Sequence, residues 1–139
     1  MNHELVNHEL GPLVLAHFRQ PRRVGRWDPG LPEVGTGWAG NPHRGEVLRL
    51  QIRVLAGKID DTRFKAFGSA WTIAVGSHLA DTLVGKTPEE ALAVTDGEIM
   101  AMLQLPPLQV RAAVLGVTAC RAAVADFWNK NSQTLSKAR

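Results

Sequence analysis

In the segment from Val47 to Val54, apolar and polar side chains alternate from Leu48 onward. Its apolar positions are Leu48, Leu50, Ile52 and Val54, and its polar positions are Arg49, Gln51 and Arg53. Side chains of a β-strand point alternately to its two faces, so this pattern predicts a half-buried strand. Ala56-Gly57 can reverse the chain, and residues Ile59 to Phe67 are predicted to form the antiparallel partner.

Helical signals dominate the chain after this hairpin. Apolar residues recur at helical spacing from Ser69 to Val84, and Thr87-Pro88-Glu89-Glu90 has the residue order of a capped helix start. Thr95 to Glu98 repeats the capping pattern for a short helix that Pro106 ends. A long and largely buried helix is predicted from Leu108 to about Trp128. Before the hairpin, Pro12 can start a short helix that reaches Phe18.

The order of these elements, a hairpin first and helices afterwards, favours an α+β fold over a parallel sheet. A length of 139 residues suits one domain. We predict a flexible N-terminal extension at residues 1–10, a single domain at 11–130 and a polar C-terminal tail at 131–139.

The balance of charge gives too little support for a nucleic-acid partner, and we predict none. The formal net charge is only +3, and no basic stripe with interleaved aromatic residues is visible. The basic residues cluster most closely at Arg19, Arg22, Arg23 and Arg26. This run is either a solvated loop or a docking surface for an acidic protein. The longest stretch without a charged side chain is too short for a bilayer, so we predict a cytoplasmic protein with no membrane contact.

The chain carries none of the common catalytic arrangements. It has no phosphate-binding GxxxxGK[ST] motif and no GxSxG nucleophile motif, and it has one cysteine, Cys120. A single thiol can supply neither an internal disulfide nor a multi-cysteine metal site. His17 and His78 are interpreted as structural residues. We therefore predict that the protein is not an enzyme.

Unusual residues lie at three junctions between loops and regular elements, in the ranges 40–46, 67–70 and 105–112. These junctions belong to a longer series of motifs that occur in order along the chain: Val24-Gly25, Val34-Gly35-Thr36-Gly37, Gly40-Asn41-Pro42, Gly45-Glu46-Val47 with Leu50-Gln51-Ile52, Asp61 to Gly68, Gly85-Lys86, and Leu105-Pro106-Pro107. In this series the chain resembles the iron–sulfur cluster assembly scaffold family, IscU and the N-terminal domain of NifU, from about Leu15 to Lys130.

The resemblance implies a small three-stranded antiparallel sheet packed against several helices, with a long C-terminal helix. It also implies a place in iron–sulfur assembly, where the family builds a [2Fe–2S] cluster on three cysteines with a nearby Asp and His. This chain departs from the family at each of those positions. The positions that match them hold Arg44, Glu46, Ser69, Arg111 and Ala112.

These replacements change the chemistry of the site. Iron–sulfur clusters are held mainly by thiolates, whereas a guanidinium is a permanent cation with no lone pair for a metal. We predict that Arg44 and Arg111 both approach Glu46, and that the site binds no cluster and no other cofactor. Whether the two arginines only fill the former site or bind an anion or a partner stays open at this point.

The resemblance also suggests partners. In the family, the N-terminal region and the cluster-bearing end face a cysteine desulfurase, which points to Arg19, Arg22, Arg23 and Arg26 in this chain. In the family, the Leu-Pro-Pro-Val-Lys segment is recognised and bound by an Hsp70-type chaperone. Here Leu105, Pro106 and Pro107 persist but the lysine is replaced by Gln109, which weakens the expectation of chaperone binding.

Three hypotheses for function follow from the sequence. The first is a non-catalytic scaffold homologue that binds or regulates partners in iron–sulfur or sulfur metabolism. The second is a divergent metal binder that uses His43, Glu46 and Ser69, and the third is a small-anion module built on the former cluster pocket.

Overall fold

The structure of this chain is a computed structural model that describes the backbone of residues 10–138 and the side chains of residues 10–132. The predicted extension at 1–10 lies outside the described residues except for Leu10, which is buried in the core. The division of the chain into extension, domain and tail otherwise stays a prediction.

A three-stranded antiparallel sheet forms the centre of the fold, as predicted. Its strands are β1 (Val34–Asn41), β2 (Glu46–Leu55) and β3 (Lys58–Phe67), and their order in the sheet is β1-β2-β3. The motif Val34-Gly35-Thr36-Gly37 forms the first half of β1, which is eight residues long. The predicted turn at Ala56-Gly57 joins β2 to β3, with both residues at positive φ (53° and 79°) as a tight hairpin turn requires.

Five α-helices accompany the sheet in the described part of the chain: α1 (Pro12–Arg19), α2 (Ala70–Thr82), α3 (Pro88–Leu92), α4 (Asp96–Leu103) and α5 (Val110–Ala138). The predicted caps are present. Thr87 and Glu90 form a reciprocal capping box at α3, and Thr95 caps α4. Short 3-10 turns at Pro42–Arg44 and Pro107–Gln109 precede β2 and α5.

The core lies between the apolar face of the sheet and the helices. Leu48, Leu50 and Ile52 are completely buried, which confirms the alternation that predicted β2. Gln51, on the polar face of β2, is also buried because the loop at Trp27 covers it. Its side-chain amide accepts from Trp27 N (2.9 Å) and donates to Trp27 O (3.0 Å).

The long helix α5 packs mainly along β1, and it differs from the prediction at both ends. It starts at Val110 and continues past Trp128 to Ala138. Leu108, predicted to be the first residue of this largely buried helix, precedes it in the 3-10 turn and is 91% exposed. Val114 is also half exposed, because only the side of α5 that faces the sheet is covered.

Length and composition alone would let the segment Pro107–Ser132 cross a membrane. The core helix of a soluble domain meets the same criterion. Ala113, Ala119 and Ala123 are fully buried within the domain, so we interpret this segment as its core helix.

Candidate functional site

The three junctions singled out by the sequence meet at one end of the sheet. Glu46 is the first residue of β2, Ser69 caps α2, and Arg111 lies in the first turn of α5. Two contacts of Glu46 join these elements. Thr72 Oγ1 donates a hydrogen bond to Glu46 Oε1 (2.8 Å), and Arg111 Nε lies 3.5 Å from Glu46 Oε2.

Glu46 is therefore engaged on both carboxylate oxygens. Its side chain is only 20% exposed, whereas that of Arg111 is 64% exposed. An ion pair this open to solvent contributes at most about 1 kcal/mol. The pair matters more for the chemistry of the site, because the Glu46 carboxylate already has a cation and a hydroxyl as partners.

Ser69 has a structural role at this site. Its hydroxyl accepts a hydrogen bond from Thr72 N (3.3 Å) as the N-cap of α2, and it lies 3.2 Å from Thr72 Oγ1. Serine is among the preferred residues at such a position, because it satisfies one of the free N–H groups of the first helical turn. The sequence reasoning missed Thr72, although the spacing Ser69-x-x-Thr72 could have indicated it.

The prediction that Arg44 also approaches Glu46 is wrong. Arg44 is exposed at the end of the 3-10 turn, and within the described residues Glu46 forms its ion pair with Arg111 and not with Arg44. Gly45 adopts a left-handed conformation (φ 73°) and bends the chain between Arg44 and Glu46. The two residues are close in sequence, but the described residues contain no ion pair between their side chains.

The residues at this end are poor ligands for an iron–sulfur cluster. Two positions offer guanidinium groups, Ser69 offers a hydroxyl used as a cap, and Ala112 offers a buried methyl group. His43 is exposed. Across the described residues, no group of three or more His, Cys, Asp or Glu is placed to hold a metal ion.

The single cysteine belongs to the core. Cys120 is 1% exposed, and its Sγ contacts Ala91 O at 3.5 Å. Burial raises the pKa of the Cys120 thiol to about 11. It also lies about 12 Å along α5 from Ala112, since an α-helix rises ~1.5 Å per residue.

We expect Cys120 to be unreactive in the folded protein. At pH 8 only about one thiol in a thousand would be ionised, and the thiolate is the reacting form. Ellman's reagent should therefore give no colour with native protein and one equivalent in guanidinium chloride. Rapid reaction of the native protein would contradict the burial of this thiol.

The N-terminal arginines differ in their surroundings. Arg23 is paired with Asp61 (2.5 Å) and Asp81 (3.4 Å), so it stabilises the domain itself. Arg22 and Arg26 have exposed side chains, and Arg19 is the last residue of α1. Partner binding through this run stays a prediction, and Arg23 is its weakest member.

Two histidines hold α1 against α2. His17 Nδ1 lies 2.7 Å from Ser77 Oγ, and the rings of His17 and His78 meet edge to face at 5.9 Å. Burial lowers the pKa of both imidazoles, with smaller contributions from Arg22 at His17 and from His17 at His78. These contacts give both histidines the structural surroundings that the sequence analysis expected.

The Leu-Pro-Pro segment connects α4 to α5. Leu105 is buried, Pro106 caps the 3-10 turn, and Pro107 is its first residue. The two prolines are exposed together with Leu108. The segment thus has an architectural role, and its role in partner binding stays a prediction.

Comparison with known protein families identifies the family of this domain. A family model described as NifU-like N terminal domain matches residues 11–134. The chain belongs to the NifU-like N-terminal domain family. The iron–sulfur assembly resemblance of its motifs is thereby confirmed.

Curated relatives of this NifU-like chain are iron–sulfur assembly proteins by name. The scaffold protein IscU of Azotobacter vinelandii is 41% identical over 118 residues, which cover 84% of this chain and 92% of the relative. The Escherichia coli IscU scaffold is 38% identical with the same coverage of both chains. A relative from Kluyveromyces lactis, "Iron sulfur cluster assembly protein 1, mitochondrial", is 39% identical over 91% of this chain and 71% of its own length.

Solved structures agree on the fold. The N-terminal part of a NifU-like protein from Brucella abortus superimposes with a TM-score of 0.62 at 16% identity, covering 93% of this chain and 98% of that one. A structure from Fervidobacterium islandicum AW-1, described as an assembly scaffold for the SUF system, reaches a TM-score of 0.67 at 15% identity, covering 88% and 99%.

Proposed function

We propose that this NifU-like protein is a scaffold homologue that carries no cluster, is not an enzyme, and acts by binding a protein partner in iron–sulfur or sulfur metabolism. One observation carries the proposal. Glu46, at the position of the family's acidic residue, is held by Thr72 and Arg111 instead of facing a set of thiols.

The chemistry of the remaining positions supports this proposal. A cluster needs soft anionic ligands, and its assembly needs thiols that accept sulfur. Arg44 and Arg111 would repel ferrous iron, and Ala112 has no donor atom. The alternative of a small-anion site is less well supported, because Glu46 already neutralises Arg111.

Anaerobic reconstitution tests the absence of a cluster. The protein is incubated with ferrous iron and sulfide, desalted and examined by visible absorption, with a cysteine-bearing IscU relative as positive control. We expect no chromophore on this chain. A stoichiometric and stable chromophore on the monomer would refute the proposal.

The proposed partner is a cysteine desulfurase of the same source, in the cytoplasm that the sequence predicts. Exposed arginine is a common contributor to interface binding energy, and charge attraction of this kind weakens with salt. Binding to the desulfurase should therefore be detectable at low salt and should fall as the salt concentration rises.

Arg22 is the appropriate residue to change, because Arg23→Glu would place a third carboxylate beside Asp61 and Asp81. Arg22→Glu should weaken desulfurase binding several-fold. Arg121→Glu makes the same change at an exposed position of α5 and should leave binding unchanged. No binding at low salt would remove the desulfurase from the proposal, and equal effects of both variants would exclude the N-terminal arginines.

A further inference from the structure

The outer face of the sheet carries two tryptophans in contrasting electrostatic surroundings. Trp27 lies under the guanidinium groups of Arg53 and Arg63, at 5.3 and 4.7 Å from the ring centre. Both of these arginines are neutralised by neighbouring carboxylates. Arg53 pairs with Asp60 at 2.7 Å, and Arg63 pairs with Asp61 at 2.9 Å.

Trp38 lies on the same face, and the charged side chains that line a groove with it are all cations. Arg49 is directly opposite Trp38 in the sheet register, with its guanidinium 5.7 Å from the ring centre. The residue opposite Arg49 on β3 is Lys65. Two like charges in directly opposed positions are unfavourable in an antiparallel sheet. Among the described residues, neither cation has a carboxylate in an ion pair with it.

These residues line an open groove of about 420 Å³. Arg26 adds a third cation, and no aspartate or glutamate of the described chain lines it. Three large apolar side chains of the groove are exposed: Val24 is 50%, Trp38 60% and Phe67 61% exposed. A soluble domain rarely leaves such a group of apolar side chains uncovered on one face without a binding role.

Arg49 is the central cation of the groove. Its Nη2 donates to Gly25 O at 2.7 Å, whereas its Nε is buried without a hydrogen-bond partner. Burial, and secondarily the charge of Arg26, lowers the pKa of Arg49. The half-buried charge of Arg49 would therefore be stabilised by an anion in the groove.

We propose that this groove docks an acidic segment of a partner protein. Its carboxylates would neutralise Arg26, Arg49 and Lys65, and an apolar side chain would pack between Trp38 and Phe67. The proposal rests on the partner-binding function proposed above and names the chemistry of a partner on a face separate from Glu46 and Arg111. A concave site with cations around apolar side chains suits a peptide segment better than a flat membrane surface.

Selection from a library of random displayed peptides on the intact protein tests this inference without a desulfurase or iron. We expect enriched peptides to combine Asp or Glu with an aromatic or branched side chain. Synthetic copies should bind more weakly as salt rises, and their binding should shift the indole N–H resonance of Trp38.

Two charge reversals on one strand provide the control. Lys65→Glu should weaken peptide binding by about tenfold or more, and it should not unfold the domain because it places a carboxylate opposite Arg49. Lys58→Glu, at the other end of β3, should have little effect. The proposal would be overturned if the selection enriched neutral or basic peptides, or enriched no peptide at all. It would also be overturned if the two variants had equal effects, or if the protein bound phosphatidylserine vesicles in place of acidic peptides. None of these outcomes depends on reconstitution or desulfurase binding, so the two proposals fail separately.

Discussion

The variant Arg44→Cys/Ser69→Cys/Ala112→Cys will bind an iron–sulfur chromophore on reconstitution, whereas the natural sequence will not. The three positions match the cysteine positions of the family, and the domain as a whole has the family fold. The variant removes one cation and supplies three thiols, which are the preferred ligands of iron in such clusters. Visible absorption and iron analysis after desalting give the readout.

A matched variant separates thiol chemistry from access to the site. Arg44→Ser/Ala112→Ser, with Ser69 unchanged, places three hydroxyls at the same positions and should bind no chromophore. Loss of the Ser69 cap in the cysteine variant should cost about 1 kcal/mol of stability, so folding is checked by circular dichroism. A folded cysteine variant that binds no iron would show that the backbone, and not only the ligands, has diverged from a cluster site.

The variant Gly37→Ala will lose about 3 kcal/mol or more of unfolding free energy, a large effect for one methyl group. The added Cβ would lie 2.1 Å from Ala119 O and 2.4 Å from Ala123 N. These are backbone atoms of α5, so the helix would have to move away from β1. That movement would open the contact on which the buried side of α5 depends.

Gly11→Ala is the control for this prediction. An added Cβ at Gly11 meets no heavy atom within 4 Å, so its stability should stay within about 0.5 kcal/mol of the natural chain. Urea denaturation followed by circular dichroism measures both variants. Equal stability of the two variants would show that α5 does not approach β1 as closely as the structure places it.

Local signals in the sequence were sufficient to predict most of the fold. Alternation located β2, capping residues located the starts of α3 and α4, and ordered motifs identified the family. These features depend on residues near one another in the chain. The end of α5 and the burial of Leu108 were predicted incorrectly. The helical spacing of apolar residues does not indicate which part of the helix the sheet covers.

The candidate site shows the same division between local and tertiary information. The sequence was sufficient to show that Arg44, Ser69 and Ala112 occupy the three positions that match the family's cysteines, and hence that thiol chemistry is absent from them. The three-dimensional structure was needed to show that Arg111 pairs with Glu46, that Thr72 donates to the same carboxylate, and that Arg44 forms no ion pair with it among the described residues. It was also needed to show that Arg49 and Lys65 line one groove with Trp38, and that no aspartate or glutamate of the described residues lines this groove. Side-chain pairing across strands and helices depends on register and on backbone bends, and a single sequence read along its length does not specify either one.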